Sequence, residues 1–107
     1  MKIRLADRAK YQPDRMAKIA LAATPRAQVD LYCLEPNQAQ KVHAHGGQDK
    51  VYVVLEGRGR FTLDGTEHAL ETGEALVAAA GSQHGVTNDS GKRLLLLVFV
   101  APPPPHA

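Results

Sequence analysis

Three histidines are the residues of this chain whose type and spacing can support metal chemistry. His43 and His45 stand one residue apart in a strand-like stretch, and His84 lies in a second strand-like stretch far downstream. In a strand, residues i and i+2 project from the same face, so the first two imidazoles point to one side. Neutral imidazole is the commonest protein ligand for zinc, copper, iron and nickel. If the fold brings His84 alongside the pair, the three rings form a metal-binding face.

The elements that must position these rings are short strands. From residue 27 onward, apolar and alternating segments are separated by turn signals such as Pro36-Asn37 and Asp64-Gly65. The second of these favours a type I′ hairpin, in which both central residues have positive φ. About eight strands at regular spacing are predicted, with no segment long enough for a crossover helix. The pattern indicates an all-β, antiparallel sandwich or barrel and disfavours a parallel fold, which needs long crossovers.

The chain of 107 residues suits one domain with an arm at each end. Residues 1–26 are predicted to form an N-terminal arm that pairs with the sheet or with a dimer partner. Within it, residues 18–22 fit a strand pairing with residues 27–35, and residues 13–17 fit a helical turn that begins at a proline. Residues 27–101 form the barrel. Residues 102–107 are rich in proline, which has no N–H for a ladder, so this tail is expected to be extended or disordered.

Charge and hydropathy exclude several kinds of partner. The formal net charge is only +2, and the basic residues are scattered among acidic ones, so we expect no nucleic-acid partner. The longest apolar run, residues 94–105, is too short to span a bilayer and ends in prolines. The N-terminus has no continuous apolar segment of the kind that marks a secretory signal. We therefore expect no membrane partner and a cytoplasmic location.

Two predicted strands are apolar on both faces. Val51 and Val53 project from one side of a strand and Tyr52 from the other, and residues 94–100 contain no polar side chain. A sheet face left in water is normally polar, so something must cover the second face. The N-terminal arm, another sheet or a second copy of the chain can do this, and we predict a homodimer through packed sheet faces.

The histidines also lie within two spaced motifs that resemble those of germin-like and cupin domains. The family's first motif is Gly-x5-His-x-His-x3/4-Glu-x6-Gly, and its second is Gly-x5-Pro-x-Gly-x2-His-x3-Asn. In this chain both spacings hold over residues 37–88, about half of its length. The residues that match by identity are His43, His45, Gly57, Gly73, Gly81, His84 and Asn88. The resemblance implies a double-stranded β-helix, or jelly-roll barrel, that holds one divalent transition metal (Fe, Mn, Ni, Cu or Zn).

Three positions depart from these motifs. Asn37 replaces the first glycine but tolerates positive φ better than most residues, and Ala79 replaces the proline. The large departure is Lys50, which stands where the family's glutamate binds metal. Three arrangements are then open for the site. The three histidines bind the metal with water in the open positions, an oxygen of Gln48 or Asp49 joins them, or the metal is absent and a polar pocket remains.

The resemblance implies a metal-dependent enzyme, namely an oxygenase, decarboxylase or isomerase that acts on a small acid, phenol or sugar. Three neutral ligands leave the full charge on the metal, which favours anionic substrates. Lys50, if it points inward, would be the catalytic counter-ion or proton donor. Tyr52, two residues further along the strand, would project from the same face and line the pocket. Lys50 also fits an ordinary surface lysine. The alternative functions are a non-catalytic barrel that binds a sugar or organic acid, and a structural protein that uses its apolar faces.

Overall fold

The computed structural model describes residues 1–104 and folds them into antiparallel strands that form two sheets. The strands are β1 (Ala17–Ala23), β2 (Gln28–Leu34), β3 (Ala39–Ala44), β4 (Asp49–Glu56), β5 (Arg58–Leu63), β6 (Thr66–Glu71), β7 (Ala75–Ala78), β8 (Gln83–Thr87) and β9 (Leu94–Ala101). One sheet has the order β1-β2-β9-β4-β7 and the other β3-β8-β5-β6. The predicted all-β, double-stranded β-helix architecture is confirmed.

Two tight turns show why the strands reverse where they do. Asp64 and Gly65 have φ of 48° and 81°, and Leu63 pairs with Thr66 across them, which is the hairpin predicted from this dipeptide. Asn37 has φ of 71°, so the asparagine does adopt the left-handed conformation that a glycine would otherwise provide. The first turn separates β5 from β6, and the second lies between β2 and the histidine-bearing β3.

The N-terminal segment contains the predicted strand. β1 pairs antiparallel with β2, one residue longer at each end than predicted, and Ala17 lies opposite Cys33. The helical turn expected at residues 13–17 is wrong, because Ala17 is buried in the β1 ladder and this pairing overrides the local preference set by the proline. A short 3-10 helix is found instead at Leu5–Asp7.

The apolar residues form two layers. The first lies between the sheets and includes Tyr52, Phe61 and other fully buried side chains. The second lies on the outer face of the five-stranded sheet, where residues 3–11 of the arm pack over the buried Leu31 and Cys33. The arm thus covers part of the second face. Further along this sheet Val77 stays 62% exposed, and a homodimer through this remaining part stays a prediction.

The C-terminal tail begins against the barrel. The carbonyl oxygen of Pro102 accepts a hydrogen bond from Gln48 Nε2 at 3.3 Å, and Pro104 lines a cavity described below. Residues 105–107 lie outside the described residues, so disorder of the 102–107 segment stays a prediction, as does the division into arm, barrel and tail. Among residues 1–104, no helix is long and apolar enough to cross a membrane. The cytoplasmic location stays a prediction.

Candidate metal centre and the adjoining cavity

The structure brings the three histidines together. His43 on β3 lies directly opposite His84 on β8, with 4.5 Å between ring centroids. His45 follows β3, and its ring centroid lies 4.8 Å from that of His43 and 6.0 Å from that of His84. The candidate donor atoms of the three rings all lie within 4.8 Å of one another. One local pair and one remote residue therefore meet because β3 and β8 are neighbours in the four-stranded sheet.

A bulge in β3 sets the direction of its side chains. The register between β3 and β8 shifts between Gln40 and His43, so both side chains face inward although they are three residues apart. Gly85 makes this bulge possible, because a Cβ there would lie 2.8 Å from the backbone oxygen of Gln40 and 2.9 Å from the nitrogen of Val42. The sequence did not identify Gly85, since the close approach of two backbones leaves no motif of its own.

Backbone carbonyls orient two of the rings. His43 Nδ1 lies 2.7 Å from the carbonyl oxygen of Lys41, and His84 Nδ1 lies 3.0 Å from that of Ser82. Each Nδ1–H therefore donates to a carbonyl, which leaves the Nε2 lone pair free for a metal, as is usual for metal-ligating histidines. His84 Nε2 is buried and has no hydrogen-bond partner among the described residues. A buried acceptor without a partner is rare, so this atom fits a metal ligand.

Two of the imidazoles favour their neutral, metal-binding form. Burial lowers the pKa of His84 below its ordinary value of 6.5, and the nearby charge of Lys50 adds to this, although the Ser82 carbonyl acts in the opposite direction. Burial and then His43 lower the pKa of His45. Since a metal needs the unprotonated ring, these environments keep ligands available near neutral pH.

Lys50 points into the barrel from β4, and the alternative of a surface lysine is wrong. Its side chain is only 4% exposed, and Nζ lies 5.0 and 5.1 Å from the ring centroids of Tyr32 and Tyr52. Burial, followed by the charge of Lys18, lowers the pKa of Lys50 from 10.5 to about 8. Tyr52, predicted to project from the same face of the strand, is fully buried beside it. The structure thus places a cation where the family motif has a metal-binding carboxylate.

Gln40 is the site residue that the sequence did not reveal. Its Oε1 accepts a 2.6 Å hydrogen bond from the Tyr52 hydroxyl and lies 3.5 Å from Lys50 Nζ, while its Nε2 donates to the Tyr32 hydroxyl at 3.4 Å. Gln40 occupies one of the unspecified positions of the first motif, and its odd spacing from His43 argues against a shared face unless the strand is bulged. It joins the two sheets across the barrel interior.

A cavity of about 80 Å³ adjoins the histidines. His45 and Gln48 line it together with Lys18, Asp30, Tyr32, Lys50, Val100 and Pro104. Asp30 is 1% exposed, and Gln28 Nε2 donates to both of its carboxylate oxygens, at 3.0 and 3.2 Å. The lining of the cavity therefore combines one histidine of the candidate metal centre, two lysines and one carboxylate with the apolar Val100 and Pro104.

The two further ligands considered from the sequence have different surroundings. Gln48 is 9% exposed and lines this cavity, with its Nε2 bonded to Pro102. Asp49 is exposed, and its Oδ1 accepts a 2.9 Å hydrogen bond from the N–H of Ala80. The structure does not bring Asp49 into the histidine group. The hydrogen bond between Asp49 and Ala80 instead holds the loop before β8 in place.

Asn88, the last residue of the second motif, is structural in this chain. It is fully buried, and its Nδ2 donates to the carbonyl oxygens of Leu34 and Lys92 at 3.1 and 2.8 Å. Its Oδ1 accepts from both the N–H and the hydroxyl of Ser90. These bonds join the ends of β2, β8 and β9, which holds the strand that carries His84.

Comparison with known proteins agrees with this architecture. A family model described as a cupin domain matches residues 30–100. The crystal structure of TT1209 from Thermus thermophilus is 48% identical with a TM-score of 0.93, covering 97% of this chain and 100% of that one. An RmlC-like cupin protein from Desulfovibrio desulfuricans is 27% identical with a TM-score of 0.86, covering 97% of this chain and 99% of that one.

A more distant relative matches part of the chain. The uncharacterized protein MJ1618 of Methanocaldococcus jannaschii is 29% identical over 65 residues, which are 61% of this chain and 52% of that protein. The chain thus spans about half the length of this curated relative. With the family model matching most of the barrel, the chain belongs to the cupin superfamily, as one of its small members.

Proposed function

We propose that this cupin binds one divalent transition metal through His43, His45 and His84 and uses it to convert a small molecule in the adjoining cavity. The observation that carries the proposal is His84 Nε2, a buried lone pair without a partner among the described residues that lies in the group of three imidazoles. The backbone carbonyls behind His43 and His84 support it, because they fix the tautomer that a metal requires.

The chemistry divides between the metal and the side chains around it. When bound, the metal supplies a +2 charge that polarises substrate oxygens and lowers the pKa of bound water. Lys50 offers a buried ammonium, with a pKa of about 8, that can hold a proton at Nζ and donate it to a developing enolate. Gln40 keeps Lys50 and the Tyr52 hydroxyl in place. An oxygenase, decarboxylase or isomerase reaction is compatible with these groups.

Metal analysis of protein purified without an affinity tag tests the proposal. We expect close to one equivalent of iron, manganese, nickel, copper or zinc per chain. Loss of a residue that only supports a metal ligand weakens metal binding by roughly 10- to 100-fold, so His84→Ala, which removes a ligand, should weaken it by at least about 100-fold. His68→Ala is the matched control, since His68 is exposed on β6. A metal-free wild type, or equal affinity in both variants, would contradict the proposal.

A non-catalytic barrel that binds a small ligand is the second candidate. The buried lysine favours it, because Lys50 stands where the family motif provides a fourth metal ligand. The two functions differ in what happens to the ligand. Incubation of metal-loaded protein with small acids, phenols and sugars should consume the compound or dioxygen if the chain is an enzyme. Recovery of every stabilising compound unchanged would favour the binding function.

A further inference from the structure

We propose that the cavity beside the histidines selects a small monocarboxylic acid whose carboxylate lies against Lys50. The inference rests on the proposed function, since it names the ligand class of the same site. His45 and Lys50 line one cavity, so a ligand can contact both groups at once. Such a ligand carries a carboxylate and, on a nearby carbon, a metal-binding oxygen from an oxo or hydroxyl group.

The first argument is the incomplete pairing of Lys50. An ammonium group has three donors, yet the one acceptor that Lys50 Nζ meets among the described residues is Gln40 Oε1, at the long distance of 3.5 Å. That oxygen already accepts a 2.6 Å bond from Tyr52. Within residues 1–104, no carboxylate lies within 4 Å of Lys50 Nζ. A buried cation without a counter-ion is unfavourable, and a ligand carboxylate supplies both the charge and the acceptors.

The second argument is the charge of the whole cavity. Lys18 and Lys50 contribute two positive charges to its lining, and Asp30 contributes one negative charge. Both oxygens of Asp30 accept bonds from Gln28, so this carboxylate already has a partner. One further negative charge offsets the excess positive charge of these side chains. Uncharged sugars and phenols bring hydroxyl groups but no such charge, which disfavours them at this cavity.

The third argument is size. The cavity measures about 80 Å³, and one water-sized atom needs about 10–15 Å³ of such space, so roughly five to eight non-hydrogen atoms fit. Val100 and Pro104 form part of the wall, and the bond between Gln48 and Pro102 holds the tail segment at its edge. Oxo- and hydroxy-acids of three or four carbons meet this limit. A hexose or a hydroxybenzoate would extend out of this space.

Calorimetric titration with two matched compounds tests the charge argument. Lactate and lactamide have the same number of non-hydrogen atoms and the same hydroxyl, but only lactate carries a carboxylate. Loss of a charged hydrogen bond weakens binding by about 10- to 100-fold, so metal-loaded wild type should prefer lactate by that factor. Lys50→Met keeps the unbranched shape of the side chain, one atom shorter and without the charge, and should remove the preference. Lys41→Met, at an exposed position of β3, should keep it.

The same titration separates this inference from the metal proposal. Metal content is measured on each sample, and lactate and lactamide are also titrated into chelator-treated protein, where a preference that requires Lys50 should persist at lower affinity. A preference for lactate in protein that takes up no metal would support the carboxylate site while contradicting the metal site. Equal binding of lactate and lactamide would overturn the inference, and so would tighter binding of glucose or p-hydroxybenzoate than of lactate.

Discussion

The two sheets contribute opposite kinds of group to one site. The four-stranded sheet supplies His43 and His84, whose Nδ1 atoms are held by nearby carbonyls of their own strands or loops. The five-stranded sheet supplies Lys50 and the two tyrosines beside it, and the lysine charge has few partners. The difference shows that local backbone carbonyls orient the histidine rings, whereas the lysine end of the site keeps an unbalanced charge inside the core. Stability and ligand binding should therefore respond differently to changes on each side.

The largest effect on stability should come from removing the buried charge. The folded-state pKa of Lys50, about 8, lies below its ordinary 10.5, so the unfolded chain binds more protons between these values. Below pH 8 the lysine is protonated in both states, and its burial destabilises the fold by up to about 3 kcal/mol, at 1.36 kcal/mol per pKa unit. In chelator-treated protein, Lys50→Met should raise the free energy of unfolding by up to that amount.

Chemical denaturation at several pH values checks this prediction. The advantage of Lys50→Met over wild type should be full below pH 8, shrink as the pH rises towards 10.5, and vanish above it. Lys41→Met, the exposed control, should show no such dependence. Because the variant also removes a cation near the histidines, its metal affinity should rise. A destabilised Lys50→Met, or a pH-independent difference, would show that the lysine is not an unbalanced charge.

A smaller effect is expected on the histidine side from Gly85→Ala. The added Cβ would meet backbone atoms of Gln40 and Val42 at 2.8 to 3.0 Å, and backbone cannot rotate away as a flexible side chain can. Overpacking of this kind typically destabilises by about 1–3 kcal/mol. Since the bulge aims His43 inward, zinc affinity should fall together with stability.

Gly46→Ala provides the control for Gly85→Ala. A Cβ at Gly46 would meet nothing within 4 Å, although this glycine lies next to His45. Its free energy of unfolding should change by no more than about 0.5 kcal/mol, as measured by urea denaturation, and its zinc affinity should stay at the wild-type value. If both glycine variants bind zinc equally well, the bulge does not position the site.

The same contrast explains how much of the site was predictable. Spacing alone indicated the three histidines, because residues i and i+2 share a strand face and the second motif placed His84 in a strand of its own. The structure adds that β3 and β8 are direct neighbours. Whether the rings hold a metal stays a prediction.

The lysine side was harder to predict for physical reasons. Lys50 is two residues from Tyr52 in the strand and could point inward with it, but a lysine is rarely buried without a partner, so the sequence left both orientations open. Gln40 was missed because a bulge changes strand parity, and bulges leave no clear trace in a single sequence. The position of the Asp49 carboxylate was equally hard to predict. It is fixed by the N–H of Ala80, in a loop whose position does not follow from motif spacing.

A more modest effect is expected from removing the Tyr52 hydroxyl. It donates a 2.6 Å hydrogen bond to Gln40 Oε1 in the core, and a buried hydrogen bond contributes about 1 kcal/mol. Tyr52→Phe should therefore destabilise by about that amount in thermal or urea denaturation. Zinc affinity should be unchanged, because the hydroxyl belongs to the five-stranded sheet and not to the histidine group. A large loss of zinc binding would contradict the division between the two sides.

The smallest effect is expected at Asp49, which tests whether the metal end needs a carboxylate. Asp49→Asn keeps an oxygen that can accept from the Ala80 N–H, so the free energy of unfolding should change by about 0.5 kcal/mol or less, as for most surface substitutions. Zinc affinity, measured by competition with a chromogenic chelator, should stay within about threefold of wild type, which is under 1 kcal/mol. If Asp49 were a ligand, neutralising it would weaken zinc binding far more than this. Such a loss would show that Asp49 is a metal ligand and that Lys50 acts as its counter-ion.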